Sequence, residues 1–214
     1  MCEIRKKEKK MGLENFLSSG NVRLDKQLKF SAEIDKMTGI LRRTVILDKS
    51  RRENDAEHSW HIAVMAMLFE EYAIEPVNVS RAVEMCVVHD LIEIYAGDTF
   101  AYDMKANESK AEREKEAADK LFSQLPEEQG KMIRDLWEEF DARQTPDAKY
   151  ASCMDSLQPF LHNSLTEGFT WIENGTSRGA VENRMAIIRE FMPEVYKWLS
   201  DNLDRAVENG WLKE

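Results

Sequence analysis

Along most of this 214-residue chain apolar side chains recur at steps of three and four, with only nine glycines and five prolines to interrupt them. That period lays one apolar stripe along each of a series of helices, and the stripes must be buried against one another. It predicts helices near 24–41, 57–74, 78–96, 109–124, 127–142, 146–166, 178–191 and 193–207, an all-α helical bundle with additional C-terminal helices. The breaks carry their own signals. Gly97-Asp98 ends the third segment, Thr145-Pro146-Asp147 opens the sixth, Asn174-Gly175-Thr176 follows it, and Met192-Pro193 separates the last two. Thr44-Val45-Ile46-Leu47 is the best strand candidate, though an extended connector would read the same way. The length suits a single domain, 1–214, and is enough to bury a sizeable core.

One pair of residues does not belong in such a stripe. His89-Asp90 stands inside Val83-Glu84-Met85-Cys86-Val87-Val88-His89-Asp90-Leu91-Ile92-Glu93-Ile94-Tyr95. An imidazole and a carboxylate in an apolar interior are costly unless hydrogen-bonded or bound to a cation, and a divalent ion satisfies both at once. Further ligand types stand elsewhere. The run from Arg51 to Phe69 turns from charged to apolar at His58, with Asp55 as a candidate N-cap. Ile62, Met65 and Phe69 follow His58 at four, seven and eleven residues, so the imidazole shares the inward stripe. Asp155 is a carboxylate in the largely uncharged segment Tyr150–Leu161. Counted as a helix, His89 and Glu93 share a face, with Asp90 turned about 100° from His89.

In this order His58, His89-Asp90 and Asp155 resemble the H…HD…D pattern of the HD-domain metal-dependent phosphohydrolases. Glu57-His58-Ser59, and His89-Asp90-Leu91-Ile92-Glu93 followed by Gly97-Asp98, resemble the branch that contains bacterial 5'-deoxynucleotidases. The likeness covers roughly Asp35 to Glu167. It implies an HD-domain helical bundle with a metal-binding core at about 35–167 and a C-terminal helical extension at about 178–208. It also implies one divalent metal ion (Mn, Co, Fe, Ni, Zn or Mg) on His58, His89, Asp90 and Asp155, with Glu93 and Asp98 as catalytic groups. Arg43, counted back from the Glu-His pair, falls where the relatives hold phosphate; that branch often has a tryptophan next, where this chain has Thr44. The implied substrate is a small anionic phosphoester, a 5'-nucleotide, and relatives are commonly homodimers. The alternatives are hydrolysis of another phosphoester, such as a nucleoside triphosphate or an alarmone, and a regulatory module that binds metal or nucleotide without turnover.

A net charge of −10 and a pI near 5.1 argue against a nucleic-acid polymer as partner, because phosphate-backbone affinity needs clustered cations. Cys2, Cys86 and Cys153 are scattered and odd in number, so thiols rather than disulfides are expected. The basic run Met1–Lys10 lacks a following apolar region and no segment reaches membrane length, so no export and a cytoplasmic location are expected. His61 lies three residues from His58, but Glu57 precedes both, unlike the His-Glu-x-x-His arrangement; His61 is read as packing behind the ligands, and His162 as structural. Arg51 and Arg52 are read as a solvated turn or an ion pair with Glu53. Trp60, Met65, Met67 and Phe69 are read as core. Trp171, Trp198 and Trp211, with Leu161, Phe169 and Tyr196, are read as closing the core or a dimer contact.

Overall fold

The computed structural model describes residues 16–97 and 110–214; the basic N-terminal run and Asp98 lie outside them. Helix α1, Val22–Ile34, begins at Asn21, whose side chain accepts from the Arg23 and Leu24 N–H groups. It stops well short of the expected limit. A 3-10 turn, Asp35–Gly39, leads into strand β1, Leu41–Val45, which pairs antiparallel with β2, Arg52–Asn54. The expected strand at 44–47 therefore begins and ends earlier, and Ile46 opens the turn between the strands. In a strand successive side chains face opposite ways, so Arg42 enters the interior while its neighbour Arg43 is exposed.

Helix α2, Asp55–Ala66, starts with a reciprocal cap: Asn54 accepts from the Glu57 N–H at 2.9 Å, and the Glu57 carboxylate accepts from the Asn54 N–H at 3.2 Å. The cap is thus Asn54, one residue before the expected Asp55, and Asp55 is buried. A separate 3-10 turn, Glu70–Tyr72, replaces the second half of the expected 57–74 helix. Helix α3, Val79–Val88, passes into tightened turns before α4, Glu93–Ala96. Gly97, at φ +75°, ends this stretch by donating its N–H to the Glu93 carbonyl at 2.8 Å.

The remaining helices among the described residues are α5 (Lys110–Phe122), α6 (Glu127–Ala142), α7 (Pro146–Leu165), α8 (Phe169–Asn174), α9 (Arg178–Arg184), α10 (Ala186–Phe191) and α11 (Pro193–Glu208). The expected 178–191 helix is broken at Met185, whose ψ is 0°. Thr145 caps α7 by accepting from the Ala148 N–H, and Pro146 fills the first turn, where a missing N–H costs nothing. Helix α7 is the axis of the molecule: α2, α3, α6 and α10 all pack on it. Ile62, Met85, Leu121, Tyr150, Met154, Ile188 and Leu199 are among the fully buried side chains of the core. Tyr150 satisfies its hydroxyl by donating to the Ala66 carbonyl at 2.8 Å.

Of the residues read as core, Met65 is buried, but Trp60 is 68% exposed and Met67 65%. They lie on the side of α2 turned away from Ile62, which is fully buried. Trp171 is buried, whereas Trp198 and Phe169 are partly exposed. Arg51 pairs with Glu57 and Arg52 with Glu173, leaving buried Glu53 to other partners.

Candidate metal centre

Helices α2 and α7 and the turn that follows α3 bring His58, His89, Asp90 and Asp155 to one place. The buried His58 ring has Nε2 3.1 Å from Asp155 Oδ1 and 4.0 Å from Asp90 Oδ2, and Nδ1 3.0 Å from Gln158 Oε1. His89 Nε2 is 3.1 Å from Asp90 Oδ1 and 3.8 Å from Asp155 Oδ1. One donor atom from each of His58, His89 and Asp155 falls within 4.8 Å of the others.

The hydrogen bonding tests whether these residues suit a cation. His89 Nδ1 lies 2.9 Å from the Cys86 carbonyl, which can only accept, so Nδ1 carries the proton. Nε2 then presents a lone pair; it is buried, lacks a hydrogen-bond partner and faces carboxylate oxygens. Acceptors converging on acceptors are unfavourable until something positive stands between them. Two imidazole nitrogens and two carboxylates fit a divalent ion such as Mn²⁺, Fe²⁺, Co²⁺, Ni²⁺ or Zn²⁺.

The proton equilibria agree. Burial, reinforced by the Arg42 charge, pushes His58 down to about 4, so its ring is neutral and able to coordinate. Burial works against ionisation of Asp155, but the Arg184 guanidinium outweighs it and holds the carboxyl well below its usual range. Asp90 is held down in the same way, by His89 and Arg42 against burial. For His89 burial opposes the charge, yet Asp90 and Asp155 prevail and raise its affinity for a proton. The site stabilises positive charge at His89 Nε2.

Glu93 is placed differently from the expected shared face with His89. The chain tightens here into three-residue turns: the Leu91 N–H donates to the Val88 carbonyl at 3.1 Å and the Glu93 N–H to that of Asp90 at 2.9 Å. Three residues per turn aligns i with i+3. Asp90 and Glu93 therefore stand together, with Asp55, as a carboxylate group within 4.8 Å, while His89 turns to His58 and Asp155. Arg42 reaches into the carboxylates, with Nη1 2.8 Å from Asp90 Oδ2 and 3.4 Å from Asp55 Oδ1, and Nε 3.7 Å from Glu53 Oε2.

A cavity of about 220 Å³ opens over these groups, with His89, Asp90, Glu93 and Asp155 in its wall. Arg42, Arg43, Arg143 and Arg184 give it positive charge, and Trp137, Phe140, Phe160 and Trp171 give it aromatic faces. Arg184 comes from α9, beyond the motif-bearing segment, and its Nη2 lies 3.0 Å from Asp155 Oδ2. Sequence reading missed Arg42, Glu53, Asp55, Gln158 and Arg184. For Arg42 a signal existed: one residue in two of a strand points inward, had the strand been placed at 41–45. His61 stands apart from His58 and His89, its ring 5.4 Å from that of His162.

The sequence model of the HD domain family matches residues 34–196. Among curated proteins, the 5'-deoxynucleotidase HDDC2 of Homo sapiens is 32% identical over 117 residues, 55% of this chain and 56% of that protein. That of Xenopus laevis is 31% identical over 131 residues, 59% of this chain and 64% of that protein. The matches span little more than half the length of these curated relatives. A solved structure from Magnetospirillum magnetotacticum MS-1, described as a predicted metal-dependent phosphohydrolase, is 44% identical with a TM-score of 0.86. That likeness covers 92% of this chain and all of the other.

Proposed function

The chain belongs to the HD domain family, and from that premise we propose that it is a divalent-metal-dependent phosphohydrolase. Its proposed substrates are (deoxy)ribonucleoside 5'-monophosphates, cleaved to nucleoside and phosphate. The observation that carries this reading is the buried His89 Nε2, its lone pair turned to the carboxylates of Asp90 and Asp155 in the wall of an arginine-lined cavity. His58, His89, Asp90 and Asp155 are the proposed ligands. When bound, a divalent ion supplies a Lewis acid for phosphoryl oxygens and makes water a better nucleophile.

The side chains supply the rest. Arg43 at the cavity wall presents a guanidinium to the phosphate, whose oxygens it matches in planar geometry. Arg42 neutralises Asp55 and Asp90, so an anionic substrate meets less repulsion from the floor. Glu93, beside Asp90, is positioned to take a proton from the attacking water or return one to the leaving sugar oxygen. Asp98 keeps its proposed part in orienting that oxygen. The aromatic wall excludes water from the nucleoside side.

We also propose one domain, a cytoplasmic setting and a homodimer. Trp60, Val64, Met67 and Leu68 form an exposed apolar stripe on α2, which a second copy would cover. Among the described residues no helix is long and apolar enough to cross a membrane.

Phosphate release from a panel of nucleoside mono- and triphosphates, with each metal in turn, tests the reading. Metal-dependent release from monophosphates, abolished in Asp155→Asn and lowered about 10²-fold or more in Glu93→Ala, is expected. Release from triphosphates alone would transfer the assignment to another phosphoester.

A further inference from the structure

Behind the ligands, on the far side of His58 from the cavity, lies a second polar group. Gln158 is fully buried on α7, three residues from Asp155. Its Oε1 is 3.0 Å from His58 Nδ1, and its Nε2 is 2.5 Å from Glu53 Oε1, 3.2 Å from His162 Nε2 and 3.3 Å from His61 Nδ1. Glu53, His61 and His162 bring ligand-type atoms within 4.8 Å of one another, a set that resembles a metal site by residue type. The Gln158 amide nitrogen stands among them, however, and its two hydrogens are shared among the three acceptor atoms. The group is a hydrogen-bond hub.

The hub has a direction. An amide can be turned end for end, and its neighbours decide which way it stands. Reversed, the Gln158 oxygen would face the Glu53 carboxylate at hydrogen-bond distance, acceptor against acceptor. Glu53 thus keeps the NH₂ toward itself and the oxygen toward His58. An amide oxygen only accepts, so the His58 proton must sit on Nδ1, which leaves the Nε2 lone pair aimed at Asp155. One helix therefore grips both nitrogens of this ring, through Asp155 on one side and Gln158 on the other. For His89 the matching bond goes to the Cys86 backbone, which no substitution removes. At His58 it depends on side chains alone.

Resting on the metal-centre reading above, we infer that Gln158, oriented by Glu53, is a positioning residue that fixes the tautomer and tilt of His58 for metal capture. The role is distinct from packing because it depends on which end of an amide faces the ring. Gln158→Leu removes the acceptor and weakens metal affinity roughly 10- to 100-fold. Glu53→Gln weakens it too, since the carboxylate that holds the NH₂ end most closely is gone. The double exchange Glu53→Gln/Gln158→Glu restores both polarities: a carboxylate accepts from His58 Nδ1–H and an amide donates to that carboxylate.

The test is Co²⁺ affinity of metal-stripped protein, measured by chelator competition with the visible Co²⁺ spectrum as a second readout. Weakened binding in folded Gln158→Leu and in Glu53→Gln, with recovery to near the wild-type value in the double exchange, is the expected pattern. If wild-type protein takes up no Co²⁺, the metal-centre reading itself fails. If wild-type protein binds and folded Gln158→Leu binds equally well, the positioning role is overturned. Should Gln158→Leu not fold, the double exchange decides: affinity no better than that of Glu53→Gln alone overturns the inference.

Discussion

Arg42 and Arg43 are adjacent, yet one is enclosed by carboxylates and the other is exposed, because a strand alternates its side chains. Arg42 balances Asp55, Asp90 and Glu53 in a nearly dry environment. Arg42→Ala leaves buried negative charge uncompensated, and metal-free protein should lose about 3–5 kcal/mol by urea unfolding. A loss under about 1 kcal/mol would show that the pairing is unimportant. His162 gives a pH-dependent case: burial, with the charge of His61, pushes it down to about 4, and its Nε2 accepts from Gln158 as the neutral ring. A depressed folded value means stability present above the unfolded value of 6.5 and lost as pH falls toward 4. His162→Gln should flatten that acid limb by on the order of 2 kcal/mol; parallel stability curves for the two proteins would refute it. The ligands were legible because a charged residue in an apolar run is visible in one dimension. Glu53, Gln158 and Arg42 were not, since each acquires its role only from the element that folds against it.

At the scale of elements, helix type was legible and helix limits were not. The period of three and four runs unbroken across residues 78–96, but the chain tightens after Val88, and that change regroups the site's acids. The turn after α7 shows a similar local demand. Gly168 adopts φ +67°, and a Cβ there would run into the Trp211 side chain closer than real contacts allow. Gly210 has a similar φ of +71° but open space around it. Gly210→Ala should therefore cost about 1 kcal/mol, for the backbone alone, and Gly168→Ala about 2–4 kcal/mol, for backbone and overlap together. Thermal unfolding of the pair checks this, and equal losses would mean that Trp211 moves aside freely. The C-terminal helices also proved to be more than an extension, because α9 supplies Arg184 to Asp155. No local pattern marks Arg184; only the packing of α9 and α10 brings it to the cavity.

For the whole molecule, a chain of net charge −10 gathers four arginines around one cavity that also holds its buried acids and imidazoles. Such a field suits a small anion at that place and repels polyanions elsewhere. The exposed stripe on α2 is the largest departure from the expected core, and the proposed homodimer would cover it. Trp60→Glu should convert a dimer to a monomer in sedimentation equilibrium; a wild-type monomer at every concentration would remove the dimer from the proposal. On the proposed function, the His58–His89–Asp90–Asp155 site turns over a nucleotide only with its metal. Phosphate release from a deoxynucleoside 5'-monophosphate, followed as Co²⁺ is added to metal-stripped protein, is the decisive experiment. Release that starts at zero and saturates near one equivalent is the predicted result. No release at any Co²⁺ concentration, by protein that has bound the ion, would contradict it.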